Sequence, residues 1–265
     1  MTTLGTPYGV VVAMQAEARH LLERADSLQA VDGGVYHAWR ATFAQTQAII
    51  VVSGIGMVLS AAATQWLLSA HNPASILNFG CAGAHRPDID LGDVIVGTRA
   101  IPHYAMHILP DGRHHYVGFV SEEGFDLLHV SSDTEARSSP DLVERAARIL
   151  ARGDIEPWPG RANPPAWHVG PVGSADVWTQ QQERIRNIHD EHQTLCEDME
   201  AASIGKIANV HGVPFLTVKD ISNNEFQKHS NLSDFSEFPY DEVGKRAGRV
   251  IAGLLRGDLE VNQSR

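Results

Sequence analysis

Short apolar runs that end in glycine turns and pass into helical stretches constrain this chain more than any other feature. Tyr8-Gly9-Val10-Val11-Val12-Ala13 is one such run, and Met14 to Leu22 turns helical behind it. Gln47 to Val52 is a second; it stops at Ser53-Gly54-Ile55-Gly56, and an Ala- and Leu-rich helix is expected over Met57 to Ala70. Ser75 to Phe79 is a third, closing on Gly80-Cys81-Ala82-Gly83. Runs of this length and composition suit strands buried on both faces, with helices covering the two sides of a sheet.

The alternation continues along the chain. Strands are expected at Val35 to Phe43, Leu91 to Gly97, Trp167 to Val172, Thr194 to Cys196 and Pro214 to Val218. Helices are expected at Leu142 to Ala151, Gln180 to Ile188, Met199 to His211 and Tyr240 to Leu255. The pattern reads as a single domain over residues 1–265, a three-layer α/β/α sandwich around a twisted, mostly parallel mixed sheet. Residues 104–165 form an irregular insertion. At its start, His103, His107, His114 and His115 are read as part of a mobile loop around Asp111-Gly112 rather than as a metal site.

Several function classes are excluded by composition. With 43% hydrophobic and 20% charged residues the chain can build a core, and disorder is ruled out. A net charge of −11 repels phosphate backbones, so nucleic acid is not an expected partner. No apolar run approaches the ~20 residues a bilayer requires, and MTTLGTPYG is not a leader, so a cytoplasmic protein without membrane contact is expected. Two cysteines, Cys81 and Cys196, cannot form a disulfide framework. Neither glycine turn is GxGxxG, and GxxxxGK[ST] is absent, so dinucleotide and triphosphate sites lack support.

Open α/β sheets bind ligands beyond the carboxyl ends of their strands. Three features stand there: Ser53-Gly54-Ile55-Gly56, Gly80-Cys81-Ala82-Gly83, and the acidic Glu197-Asp198-Met199-Glu200 at a helix start. Glycine turns let a ligand approach backbone N–H groups, or simply make tight strand-to-helix turns. Acids at a helix start can be plain caps. Glu17 also follows a strand, and Pro214 to Val218 runs into Lys219-Asp220-Ile221-Ser222-Asn223-Asn224. Carboxylates and amides converging from these ends suit a sugar, whose hydroxyls they bind, and a water in need of a general base.

These segments, in this order, resemble the purine nucleoside phosphorylase/uridine phosphorylase superfamily: Ala13-Met-Gln-Ala-Glu17, Ser53-Gly-Ile-Gly-Met57, Gly80-Cys-Ala-Gly83, Leu91-Gly-Asp-Val-Ile95, Asp198-Met-Glu-Ala-Ala202 and Ile221-Ser-Asn223. Within it the chain is most similar to the 5′-methylthioadenosine/S-adenosylhomocysteine nucleosidases, from about residue 8 to 255. The resemblance implies a nucleoside phosphorylase-like fold, a small-molecule purine nucleoside as substrate, a homodimer, and no metal or organic cofactor. It gives Glu17 the attacking water, and Met199 with Glu200 the ribose. Cys81, Ala82 and Gly83 line the nucleoside site, with Ser53, Gly56 and Asp198 nearby. Val177 and Trp178 fall along the base, Trp178 either stacking on it or sitting in the core. Ser222 supports the base-recognition loop.

Two departures from the family pattern bear on chemistry. Phosphorylase relatives carry Arg-x-x-Ser where this chain has Asn78-Phe79-Gly80-Cys81, so a phosphate dianion lacks its arginine; Arg86 lies beyond the turn. Water is therefore the expected nucleophile. The nucleosidases place aspartic acid after Ile-Ser, and this chain has Asn223. An amide can donate a hydrogen bond to purine N7 but no proton, and general acid catalysis contributes about 10²–10⁴-fold. A 6-oxopurine substrate, as in futalosine hydrolases with their Ile-Ser-Asn, is one resolution. Asp220 acting from a shifted loop is another, opposed by strand alternation, which turns 220 and 223 to opposite faces. A non-catalytic nucleoside-binding relative is the third. Lys219, where the family often has arginine, is read either as orienting this loop or, as the simpler account, as a solvated cation, and Phe226, Phe235 and Phe238 as either an apolar lid or core.

Overall fold

A computed structural model describes residues 5–116, 134–227 and 238–257. β1 (Tyr8–Val12) leads into α1 (Gln15–Leu22), followed by β2 (Ser27–Gly33), β3 (Tyr36–Phe43) and β4 (Thr46–Val52). Next come α2 (Met57–His71), β5 (Ile76–Ala84) and β6 (Val94–Pro102). A hairpin of β7 (Met106–Ile108) and β8 (His114–Tyr116), then the short β9 (Ala136–Arg137), precede α3 (Pro140–Arg152). The order closes with β10 (Trp167–Ser174), α4 (Gln182–His192), β11 (Cys196–Asp198), α5 (Ala201–Val210), β12 (Phe215–Asn223) and α6 (Lys245–Arg256).

The main sheet runs β11-β10-β6-β12-β5-β1-β4-β3-β2. Pairing is parallel at β10–β11, β10–β6, β12–β5, β1–β5 and β1–β4, and antiparallel at β12–β6 and along the β4–β3–β2 edge. β1 shows why its sequence is a near-continuous apolar run. Val10 and Val12 enter the core beneath α1, α3 and α6, while Val11 enters the one beneath α2 and α5. All three are fully buried, each contributing about 1.5–3 kcal/mol relative to exposure. The layers follow from that division. In α3, Leu142, Ala146 and Leu150 recur every fourth residue and form its buried face.

β11 pairs with β10 on one side and, antiparallel, with β5 on the other, Cys196 opposite Ala84 and Glu197 opposite Gly83. One end of the sheet thus curls into a ring of β5, β12, β6, β10 and β11. This curl brings the Glu197–Glu200 segment against the Gly80–Gly83 segment, which are over a hundred residues apart in the chain.

Some elements differ from expectation. The sequence offers no strand at β2; it is an outer edge strand, mostly exposed, held chiefly by backbone pairing to β3, with Val31 packed partly against the core. β5 and β12 run well past Phe79 and Val218, since Lys219, Asp220 and Ile221 pair with Gly80, Cys81 and Ala82. α6 starts at Lys245 rather than Tyr240, because the Asp220 carboxylate accepts the N–H groups of Gly244 (2.8 Å) and Arg246 (2.9 Å) there. The histidines assigned to a loop lie on different structures: His107 and His114 on the β7–β8 hairpin, His103 buried just beyond β6. No helix among the described residues is long and apolar enough to cross a membrane.

Candidate active site

Glu17 stands in the first turn of α1 and is 2% exposed. One carboxylate oxygen accepts the N–H of Met14 (3.1 Å), closing the turn, and the other accepts the N–H of Cys81 (2.8 Å). The approach to β5 is close: a Cβ on Gly80 would lie 2.6 Å from Glu17 Oε1. Glycine at 80 is therefore a condition of Glu17 reaching the strand end. Burial pushes the Glu17 pKa up, against the Lys219 charge and the two N–H donors. A carboxylate with raised proton affinity is suited to accept a proton from water. The Cys81 thiol is raised by burial and by Glu17, so it stays neutral.

Glu200 is buried at the start of α5, its Oε1 accepting the N–H of Gly56 at 2.9 Å. Burial, then the neighbouring Asp198, pushes its pKa up, with Lys219 opposing. Asp198 spends its oxygens within the protein. It accepts two contacts from Ala201 N, a hydrogen bond from Ser174 Oγ, and a salt bridge from Lys219 Nζ at 2.7 Å. Lys219 is not a solvated cation: it is 1% exposed, and Asp198 and Glu200 hold its pKa up against the burial that would lower it. It is the positive centre of a cluster of three buried carboxylates.

Ser222 and Asn223 both line the cavity although they are consecutive. The β12–β5 ladder shifts register between Ile221 and Asn223, and the shift turns two neighbours to one side. Simple alternation therefore fails here. Asp220 nevertheless faces away, toward the start of α6, and its pKa is pushed up to about 6 by burial against those two N–H bonds. Ser222 Oγ donates to Asn223 Oδ1 (3.0 Å), and Asn223 Nδ2 donates to Glu225 Oε1 (3.1 Å).

One cavity of about 340 Å³ gathers these groups. Glu17, Cys81, Ala82, Gly83, Asp198, Met199 and Glu200 line one part of the wall, and Val177, Trp178, Ser222 and Asn223 also border it. Trp178 is half-buried on this wall, not in the core. Ser53 and Gly56 do not line it: the Ser53 hydroxyl turns to the carbonyls of Val12 and Gly54, and Gly56 acts through Glu200. Phe238 lines the cavity, Phe226 packs under the Arg186 guanidinium, and Phe235 lies outside the described residues.

Glu225, His85 and Thr179 are among the lining residues that sequence reasoning missed. Glu225 follows Asn223 by two positions, and its only signal was that proximity. His85 joins a buried group with His103 and Glu197: His103 Nε2 lies 2.9 Å and His85 Nε2 3.8 Å from Glu197 Oε2. Thr179 also borders the cavity and gives Glu197 both its N–H and its hydroxyl at 3.0 Å. Burial alone would raise the Glu197 pKa, but the two histidines overrule it and hold it at about 2. No cluster of His, Cys, Asp and Glu side chains suited to a metal ion occurs among the described residues.

Known proteins resemble this chain over nearly its whole length. The chain is 25% identical over 253 residues to the 5′-methylthioadenosine/S-adenosylhomocysteine nucleosidase of Shewanella piezotolerans, covering 94% of this chain and 98% of that one. The corresponding Exiguobacterium protein is 28% identical over 87% of this chain and 89% of its own length. In three dimensions the nucleosidase of Neisseria meningitidis, solved with methylthio-immucillin-A, superimposes with TM-score 0.76 at 22% identity, covering 96% of this chain and all of that one. Futalosine hydrolase of Helicobacter pylori superimposes with TM-score 0.77 at 20% identity, covering 95% and 98%. The family model of the phosphorylase superfamily matches residues 7–256, nearly the whole chain, and this protein belongs to that superfamily.

Proposed function

We propose that the protein hydrolyses the N-glycosidic bond of a purine nucleoside, releasing the free base, with a 5′-modified adenosine such as 5′-methylthioadenosine or S-adenosylhomocysteine as substrate. The observation that carries this reading is that Glu17, Met199 and Glu200, remote in sequence, border one cavity with Trp178, Ser222 and Asn223. The nucleosidase relatives support the choice of substrate. Glu200, fixed by Gly56, binds the ribose hydroxyls, and Met199 packs beneath the ring. As the bond from C1′ to the purine stretches, the sugar becomes oxocarbenium-like, and Glu17 takes a proton from the attacking water. Trp178 stacks on the base.

Water rather than phosphate is the nucleophile in this reading. No arginine or lysine is found among the described residues lining the cavity, and a phosphate dianion needs such donors. Asn78 is occupied inside the sheet, donating to Val11 O and accepting from Thr217 Oγ1. Arg86 pairs with Asp88 on the surface. Asn223 favours a second reading, a 6-oxopurine nucleoside such as futalosine, because an amide is a hydrogen-bonding rather than acidic partner for the base.

One experiment separates these readings. The protein is incubated with methylthioadenosine, S-adenosylhomocysteine, inosine and futalosine, with and without phosphate, and the released base is resolved chromatographically. Adenine release independent of phosphate is the expected result. Hypoxanthine release alone moves the assignment to the second reading, a strict phosphate requirement makes the protein a phosphorylase, and no release from any substrate leaves a binding protein.

The same reading includes a homodimer. Ile55, Val58 and Leu59 are 54%, 75% and 48% exposed at the start of α2, an apolar edge continuous with the cavity through Ile55. Sedimentation equilibrium is expected to give twice the mass of the 28.9 kDa chain. A mass of one chain at micromolar concentration would remove the dimer from the reading.

A further inference from the structure

We propose that Glu225 is the acid that protonates the departing purine, a task for which residue 223 supplies only an amide. The inference rests on the nucleosidase reading above. Among the described residues, five carboxyl groups border the cavity: Glu17, Glu197, Asp198, Glu200 and Glu225. Asp198 is bound to Lys219, and Glu197 is saturated by Thr179 and the two histidines, its pKa near 2. Glu17 and Glu200 serve the water and the ribose. Glu225 remains, and it is the one in contact with Asn223.

The geometry around Asn223 directs the purine to this pair. Ser222 Oγ donates to Asn223 Oδ1 and Asn223 Nδ2 donates to Glu225, so both ends of the amide are oriented, and one N–H of Nδ2 is left to donate. That N–H and the Glu225 carboxyl stand side by side on the cavity wall. The turn that presents Glu225 is held firmly. Asn224 is fully buried, donates to Arg86 O (2.9 Å) and Ile89 O (2.6 Å), and accepts the N–H of Phe226 (2.9 Å). Gln182 Nε2 donates to the Glu225 carbonyl at 2.6 Å. Burial raises the Glu225 pKa, against hydrogen bonds from Asn223 and Gln180, the direction that suits a proton donor.

The step balances without a co-reactant. The C1′–N9 electron pair leaves with the purine, whose N7 takes the Glu225 proton. The water oxygen bonds to C1′ and gives its proton to Glu17. After release, Glu17 loses its proton to solvent and Glu225 regains one.

The test compares two leaving groups. Glu225→Gln keeps an oxygen to accept from Asn223. On the purine nucleoside that the wild type cleaves fastest, this variant should lose ~10²-fold or more in kcat with KM little changed. On 4-nitrophenyl β-riboside, whose leaving group departs as the anion, it should retain wild-type kcat to within about threefold. Parallel losses on both substrates, or no loss on the nucleoside, would overturn the proposal. A wild type that releases no base from any nucleoside defeats the nucleosidase reading instead, so the two failures are distinct.

Discussion

Glu17→Gln is expected to lower kcat for nucleoside cleavage by about 10²–10⁴-fold, the usual contribution of a positioned proton acceptor, with KM nearly unchanged. Glutamine retains an oxygen for the Cys81 N–H but presents an amide where Met14 N–H now donates, so it loses one capping bond, worth about 1 kcal/mol. It also removes a buried charge, and the two effects oppose each other in stability. The pH dependence distinguishes a base from a mere positioning group. A base must be ionised, and burial raises the Glu17 pKa, so wild-type kcat should climb as pH rises through that raised value. Stability follows the opposite sign. A raised carboxyl favours the fold below the ordinary carboxylate range and loses that advantage as pH climbs through the folded-state value. Glu17→Gln should therefore flatten the acidic limb of kcat and melt less steeply on going to alkaline pH. Steady-state rates and thermal melts across pH 5–9 check both; a variant keeping the acidic limb and near-normal kcat would take Glu17 out of the mechanism.

Much of the architecture is legible in the sequence because the buried strands announce themselves. Val10, Val11 and Val12 face opposite layers, and only an apolar residue serves at every position. β2 is illegible for the converse reason, since an edge strand held by backbone pairing needs no such pattern. The cavity-lining ends of β5 and β12 are legible as motifs but not as strands. Apart from Ile221 their residues are small or polar, and what makes them extended is their pairing with each other across more than a hundred residues. The site divides in the same way. Glu17, Met199 and Glu200 sit in motifs at strand and helix ends, and the fold brings them together. His85 carries no local signal, and Glu225 none beyond its nearness to Asn223, because their place on the wall depends on the register shift in β12 and the curl of β11 onto β5.

Lys219 is the residue whose role sequence reasoning mistook most, and the largest stability effect is expected there. A lysine following Pro214 to Val218 looks like the point where a strand emerges into solvent. Instead β12 continues, Lys219 pairs with Gly80, and its ammonium is buried between Asp198 and the carboxylates of Glu200 and Glu17. Replacing it with methionine keeps the volume and leaves three buried acids without a cation. Removing one partner of a buried pair costs about 3–5 kcal/mol, a large part of the roughly 5–15 kcal/mol that stabilises a typical domain. At about 2–4 °C per kcal/mol for a chain somewhat smaller than this one, Lys219→Met should lower Tm by roughly 10 °C at pH 8. The sign of the pH dependence is fixed by the same charges. Lys219 opposes the raised pKa of Glu17 and of Glu200, so without it both rise further, and the variant should regain stability on acidification toward pH 5, where these acids take up protons, and lose it as pH rises. Asp198→Asn combined with Lys219→Met removes charge from both sides and should melt above Lys219→Met alone. Circular dichroism melts of the wild type and both variants at pH 5 and 8 measure this, and an unchanged Tm for Lys219→Met at pH 8 would mean that the buried carboxylates are already protonated and need no counter-charge.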